Sequence, residues 1–538
     1  MSLGEQAAAA RLALTNAPAL LRSGLLAPAR PSTLARMAGS WWNWRASPAT
    51  LCAAAAARWP GEVAVIDELG QLTYGELDRR AAALADGLAA ESGIGQGTAV
   101  AMMCRNHRGF LEAAVAAGRL GADLLLLNTE LPARALAQLV AKHDISAVIC
   151  DEEFGRAFEA AEFAGPLVLS WHEGGSEHTI DSLVRKSAPQ APRPHAPGKV
   201  VILTSGTTGV PKGVPRTPSA MDTMGIGVTV IARMSLRTKE AMVIAPPLFH
   251  GFGLAFLAMA MLMGHTVVLR RKFDPEALLA DIERHRVTTM LAVPAMLQRI
   301  LQLPQNERER YDTSSLRAAF SGAAPLSPAL ASRFTAVFGQ VLYNGYGSSE
   351  AGVATVADPA DLAAAPGTVG RPVSGVDVRV LGSDGEELPP GAIGRVCVGS
   401  SLTFEGYSGG GPKPELTRGL MPTGDLGHRD ADGRIFIDGR EDDMIVSGGE
   451  NIFPQEVEHV LAGHDAISEV AVVGVADEEF GQRLKAFVVT RPGSEVSADE
   501  LKDYLREHLA RYMVPKEFVF LAELPRNATG KLLRSKLT

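Results

Sequence analysis

Cysteine is scarce. Four residues, Cys52, Cys104, Cys150 and Cys397, are spread over 538 positions. No CxxC pair and no His/Cys cluster accompanies them, which argues against a zinc site or a disulfide framework and for reduced thiols in a cytoplasmic setting. Excess positive charge is also missing. With 52 Lys+Arg against 60 Asp+Glu the net charge is −8, so no overall field recruits nucleic acid, and no nucleic-acid partner is expected. Long apolar runs are missing too. Residues 241–269 carry no Lys, Arg, Asp or Glu, and Gly251 to Gly264 reads GFGLAFLAMAMLMG. A spanning helix needs about 20 apolar residues, and Pro246, Pro247, His250 and His265 break this stretch. A buried helix followed by a buried strand over Thr266 to Leu269 is expected instead. Arg11 and Arg22 interrupt the apolar runs near the N-terminus, so no secretory signal is expected.

Acidic residues are absent from 6 to 61, where Arg11, Arg22, Arg30, Arg36, Arg45 and Arg58 give +6 and Trp41, Trp42 and Trp44 cluster. Such a segment suits peripheral contact with an anionic membrane surface. It equally suits an arm packed on its own domain, because Arg and Trp serve both. At 46% hydrophobic and 21% charged residues the chain reads as globular, not disordered or collagen-like.

Its length corresponds to roughly three to four units at ~150 residues each. Thr73-Tyr74-Gly75-Glu76 is a capping-box pattern opening a helix to about Ala90. A strand over Thr98 to Met103, a helix over Arg108 to Leu120 and a strand over Ala147 to Cys150 follow. This alternation predicts a mostly parallel sheet covered on both faces. Ser187 to Gly198 is a Pro-rich linker. After about residue 370 the pattern turns antiparallel, with a strand over Val376 to Leu381 and turns at Ser383-Asp384-Gly385 and Ala431-Asp432-Gly433. The last ~95 residues read as compact α+β. Pro454 starts a helix, Ile467 to Val475 and Leu484 to Thr490 are strands, and Ser497-x-x-Glu500 caps another helix. Leu501, Tyr504, Leu505, Leu509 and Tyr512 are expected on one face of that last helix.

The strongest local signal is the decamer Thr204-Ser205-Gly206-Thr207-Thr208-Gly209-Val210-Pro211-Lys212-Gly213, placed after the apolar run Val200 to Leu203. Glycines let the backbone turn N–H groups toward an anion, hydroxyls add donors, and a lysine adds charge. This is phosphate-cradling chemistry without Walker A spacing. Gly/Thr loops are also common turns, but four Ser/Thr, three Gly and a Lys in ten residues argue against a plain one.

Five further segments accompany it in order: Pro247 to Gly253 (PLFHGFG), Tyr343 to Glu350 (YNGYGSSE), Thr423-Gly424-Asp425, Gly439 to Glu458, and Pro525 to Lys531 (PRNATGK). Together they resemble the motifs of the adenylate-forming superfamily, which includes acyl-CoA synthetases, luciferases and peptide-synthetase adenylation domains. The resemblance runs from about Leu51 to the C-terminus. It implies an α/β fold with a large N-terminal body of several subdomains, built of doubly covered, mostly parallel sheets plus a smaller antiparallel β region. A small, mobile α+β C-terminal domain completes it. The implied division is an arm over 1–50, an AMP-binding domain over 51–439 and a lid over 440–538, hinged near Asp442.

The resemblance implies a reaction that joins a carboxylate to the α-phosphate of ATP, expels pyrophosphate and then passes the acyl group to coenzyme A. Thr204, Ser205, Gly206, Thr207, Thr208, Gly209 and Lys212 would hold the phosphates. Glu350, with Thr204, would bind Mg2+, a hard cation that wants oxygen ligands. Asp425 and Arg440 would take the ribose diol. Tyr346 would stack on adenine, with Gly322, Ala323 and Ala324 admitting the base and Asn344, Gly345, Gly347, Ser348 and Ser349 completing that wall. His250 would line the acyl site, Lys531 would neutralise charge at the carboxylate–phosphate junction, and Gly448 and Gly449 would let the pantetheine arm pass. Taken alone, most of these residues would be ordinary: a solvated lysine, a turn aspartate, a core tyrosine. Departures from the family pattern are Ser349 for threonine, Arg395 where glutamate is usual, Gly419-Leu420-Met421 without an aromatic, and the Gly-rich run Ser408 to Gly411.

No Asp is evident to pair with a substrate amino group, so a small-molecule hydrophobic carboxylic acid is expected. The small residues Gly251, Gly253, Ala255, Ala258 and Ala260 point to a medium- or long-chain fatty acid, and an aryl acid is the runner-up. A stand-alone acyl-adenylate ligase and a non-catalytic sensor rank lower. No carrier module is expected after Thr538, and Ser535-Lys536-Leu537 is not terminal as a peroxisomal signal would be.

Overall fold

The computed structural model describes residues 17–131, 133–174, 178–186, 190–204, 212–215, 220–348, 352–399, 416–447, 450–477, 481–527 and 530–537. These residues form two compact units. One is built from residues up to Ala292 and from Leu303–Ala319. The other takes Val293–Gln302 and nearly everything after Phe320.

In the first unit the apolar runs become buried parallel strands. Leu167–Trp171, Ala147–Asp151, Ala99–Met103, Asp123–Leu126 and Val200–Thr204 lie side by side in that order, all parallel. Every residue of Ala147–Asp151 is buried, as a strand covered on both faces requires. Lys212–Pro215 then pairs antiparallel with Val200–Thr204, setting Thr204 opposite Lys212. A second set of strands, Thr289–Ala292, Ala241–Ile244, Thr266–Val268 and Val63–Asp67, is likewise parallel, with Gly70–Thr73 antiparallel at its end.

Local chemistry sets the helix boundaries. Thr73 accepts from the Glu76 N–H while the Glu76 carboxylate accepts from the Thr73 N–H at 2.8 Å, and the helix Tyr74–Ser92 ends at Gly93 with φ +65°. The helix Arg108–Leu120 lies where its periodicity places it. The uncharged stretch becomes the helix Gly251–Met263 and the buried strand Thr266–Val268. Among the described residues no helix is long and apolar enough to cross a membrane.

The described part of the N-terminal arm packs on its own unit. It forms helices over 17–23, Pro31–Trp44 and Pro48–Arg58. Arg36 donates to the Ala57 carbonyl at 3.0 Å, Arg58 to that of Ala27 at 3.1 Å, and Arg119 lies over the Trp44 ring.

The second unit carries the antiparallel texture. Asp377–Leu381, Gly394–Gly399, Met421–Arg429 and Ile435–Arg440 form a four-stranded meander. Leu342–Ser348 and Gly352–Ala357 pair antiparallel. The C-terminal α+β part has a five-stranded sheet centred on Ile467–Asp477 and Gly481–Thr490, packed by the helices Pro454–Ala462 and Ala498–His508. The last helix stops earlier than its apolar spacing suggests. The His508 ring bonds the Tyr504 carbonyl at 2.7 Å, Leu509 is extended, and Tyr512 stands 48% exposed in a short 3-10 turn. The backbone turns extended at Leu509, with φ −131° and ψ 160°, and closes the helix before the apolar pattern runs out.

Candidate active site

Thr423-Gly424-Asp425 lies inside the strand Met421–Arg429, not in a free loop. Gly424 has φ +76°, and a Cβ there would meet the Arg440 guanidinium at 3.0 Å. The neighbouring strand sets Arg440 opposite Asp425, and its Nη1 donates to Asp425 Oδ1 at 3.3 Å. Tyr346, 79 positions earlier, donates its hydroxyl to Asp425 Oδ2 at 2.5 Å. The Asp425 N–H donates to Thr423 Oγ1, whose own proton goes to the Val396 carbonyl. Both carboxylate oxygens are thus anchored, and each keeps lone-pair capacity for another donor.

The Asp425 side chain is only 13% exposed. Burial pushes its carboxyl pKa up, while the Tyr346 hydrogen bond and the Arg440 and Lys531 charges pull the other way. The Tyr346 phenol is pushed well above its ordinary value, first by burial and then by the Asp425 charge, so it stays a donor. A pre-oriented carboxylate beside a guanidinium can accept two hydroxyls of a vicinal diol, with cations close by for an attached phosphate.

Lys531 is presented by a tight turn. Arg526 pairs with Leu532 across it, Asn527 N–H donates to the Lys531 carbonyl, and Asn527 Oδ1 accepts from the Lys531 N–H at 2.8 Å. Gly530 has φ +77°, and a Cβ there would strike Val293 at 2.8 Å. Arg526 braces the turn by donating to the Gly530 carbonyl at 2.9 Å and to Glu469 at 2.6 Å. Next to Glu469, the Ser468 carbonyl accepts from buried Gln298 at 3.0 Å, and its hydroxyl accepts from Gln302 at 2.7 Å.

The remaining expected residues fall as follows. Tyr346 sits where the pairing of its strand shifts register. Gly345 and Gly347 have packing reasons: a Cβ would lie 2.5 Å from the Phe320 ring in the first case and 2.0 Å from the Gly352 carbonyl in the second. Asn344 is buried and donates to the Thr368 carbonyl at 3.0 Å. Ser348 ends that strand. Gly322, Ala323 and Ala324 follow the strand Ala318–Ser321, with Ala323 in the left-handed region at φ +65°. His250, in the first unit, caps the helix Gly251–Met263 by accepting the Phe252 N–H on Nδ1, which leaves the ring proton on Nε2. Asp442 lies in the 3-10 turn Glu441–Asp443. Arg395 pairs within the meander and donates to the Gly382 carbonyl. Thr204 and Lys212 are described only as strand positions. Ser205, Gly206, Thr207, Thr208, Gly209, Ser349, Glu350, Gly448 and Gly449 lie outside the described residues, as does the run Ser408 to Gly411.

Three features escaped the sequence reading: the Tyr346–Asp425 bond, the Arg526–Glu469 brace and the two glutamines on Ser468. Arg526 stands inside a quoted segment, but its partner is 57 positions away, and no local signal names it.

The model of the AMP-binding enzyme family matches residues 52–408, and that of the AMP-binding enzyme C-terminal domain matches residues 456–531. A feruloyl-CoA synthase from Amycolatopsis sp is 37% identical over 473 residues, 87% of this chain and 93% of that protein. An indoleacetate–CoA ligase from Aromatoleum aromaticum is 34% identical, over 88% and 94% respectively. The solved o-succinylbenzoate–CoA synthetase from Bacillus subtilis, in complex with its acyl-adenylate intermediate, superposes with a TM-score of 0.77 at 28% identity, covering 91% of this chain and 97% of that one.

Proposed function

We propose, from the premise that the chain belongs to the AMP-binding enzyme family, that it activates a hydrophobic carboxylic acid lacking an amino group and hands the acyl group to coenzyme A. Acid–CoA ligase chemistry through an acyl-adenylate comes with that membership. The observation that carries the assignment to these residues is the anchored Asp425 carboxylate, with Tyr346 and Arg440 on its oxygens and the charge of Lys531 acting on it.

Asp425 and Arg440 take the ribose diol of ATP, and the Tyr346 ring stacks on adenine beside Gly322, Ala323 and Ala324. Ser205, Gly206, Thr207, Thr208, Gly209 and Lys212 hold the β- and γ-phosphates. Lys531 stabilises charge where the carboxylate oxygen attacks the α-phosphorus and pyrophosphate leaves. His250, with Nε2–H as donor, orients the acid. Glu350 and Thr204 offer the oxygen donors that Mg2+ prefers, and a bound ion there would screen the phosphates. Gly448 and Gly449 flank the pantetheine arm, and Asp442 is the hinge between a body over 51–439 and a lid over 440–538. The setting is cytoplasmic.

For the acid itself, the names of the two curated relatives favour an aryl acid. A fatty acid is the second reading, favoured by the apolar helix Gly251–Met263. The small residues there argue less for a long chain than their spacing suggests. A Cβ on Gly253 would meet the Pro247 carbonyl at 2.5 Å, and Ala260 is fully buried, so both are small for packing. A pyrophosphate-release screen over cinnamates, arylacetates, benzoates and saturated acids of graded length, with and without coenzyme A, tests both levels. Acid-dependent release and coenzyme A-dependent thioester are expected, strongest for the aryl acids. Release with no acid dependence would overturn the function.

A further inference from the structure

The described arm keeps one face for its own unit and turns another outward. Ser40 is buried, Trp44 is stacked under Arg119, and Arg36 is bonded to the Ala57 carbonyl. Leu34, Trp41 and Trp42 are exposed by 54%, 43% and 73%. Their spacing of seven and eight residues, with exposed Ala38 and Arg45 between and after them, places them on one face of the helix Pro31–Trp44 and its end. Leu21 and Leu26 are exposed just before it. Of the twelve large apolar side chains exposed among the described residues, these five fall within 22 positions of the chain, a concentration and not scatter.

The charge along this segment has one sign. Residues 17–61 contain Arg22, Arg30, Arg36, Arg45 and Arg58 and no Asp or Glu. Arg22, Arg30 and Arg45 are exposed. The Arg45 guanidinium lies 4.8 Å from the Trp42 ring centroid, so cation and aromatic reach outward together. A symmetric pairing of two copies over this face would set the acid-free arginines against themselves. An anionic lipid surface complements them, and Trp with Arg beside it is the chemistry of the bilayer interface.

We propose that residues 17–45 dock the protein peripherally on anionic lipid, with Leu34, Trp41 and Trp42 entering the interfacial layer and Arg22, Arg30 and Arg45 meeting the headgroups. The docking is independent of which acid is activated.

The test uses the full chain in co-flotation with vesicles of phosphatidylcholine plus phosphatidylglycerol, and of phosphatidylcholine alone, with tryptophan emission as a second readout. Binding to the anionic vesicles alone is expected, with a blue shift and loss at high salt. Leu34→Ser and Trp42→Ser should each weaken partitioning by about tenfold, and neither should change turnover of a water-soluble acid. Both are surface changes, so an unchanged Tm separates lost docking from lost fold. Absence of wild-type binding, or binding by both Leu34→Ser and Trp42→Ser equal to wild type, would overturn the proposal. So would a patch variant that turns a dimer into a monomer while vesicle binding stays absent.

Discussion

Replacing Tyr346 with phenylalanine removes a single oxygen from the candidate site and leaves the ring that would stack on adenine. That oxygen donates to Asp425 Oδ2 at 2.5 Å, and the carboxylate it serves is nearly buried. A hydrogen bond to a buried charge contributes about 1.5–3 kcal/mol. Losing it should therefore weaken the ribose-binding form roughly 10- to 150-fold. The loss should appear in the KM for ATP, with kcat close to wild type, because the phenol touches neither the α-phosphorus nor the acid. Two further readouts follow from the same geometry. Preference for ATP over its 3′-deoxy analogue should shrink, since the poorly held carboxylate is the group that reads the diol. The Tyr346 bond also favours the ionised carboxyl, so its removal adds to the upward push of burial, and the acid limb of ATP binding should move to higher pH. ATP–pyrophosphate exchange at saturating acid measures all three. An unchanged or lower KM with ribose preference intact would refute the reasoning, because the phenol would then compete with the ribose instead of holding its acceptor.

Asp425→Asn should raise Tm at neutral pH while abolishing ATP binding. The folded carboxyl titrates above its unfolded value, so the native state binds the extra proton and loses stability as pH rises through that window. The variant should lack that slope in a Tm–pH series, and a variant less stable at pH 7 would count against the buried-charge account. Arg526→Ala should lower the adenylation rate about tenfold with ATP binding retained, because it leaves the Glu469 carboxylate without its partner and loosens the turn that presents Lys531. Equal losses in KM and kcat would contradict this positioning role. All four cysteines are buried, and burial followed by the Asp151 charge pushes the Cys150 thiol up to about 12. A thiol reagent should therefore label the native protein only after denaturant is added, and stoichiometric labelling of the folded chain would contradict the burial.

What the sequence disclosed follows the range of the interactions involved. The capping boxes at Thr73 and Ser497 act over three residues, and both helices begin where those residues place them. The parallel strands of the first unit are mostly apolar, and burial on both faces leaves that mark in a strand. Leu509 and Tyr512 continue the apolar spacing of the last helix, yet the backbone turns extended at Leu509 and ends it first. A periodicity count does not register such a change of backbone conformation. At the site, Thr423-Gly424-Asp425 and Pro525 to Lys531 were legible as motifs. The bond between Tyr346 and Asp425 and the brace between Arg526 and Glu469 were not, because each joins residues that only the fold brings together. Gly345 and Gly347 read as part of the nucleotide wall, and the structure adds a packing cause: Phe320 and the Gly352 carbonyl occupy the space a side chain would need.

The central claim is that Lys531 serves formation of the acyl-adenylate. It is tested most directly by comparing the two half-reactions in Lys531→Ala. ATP–pyrophosphate exchange should collapse while the folded state and thioester formation from a synthetic acyl-adenylate are retained. Exchange at the wild-type rate, or equal loss in both halves, would contradict it.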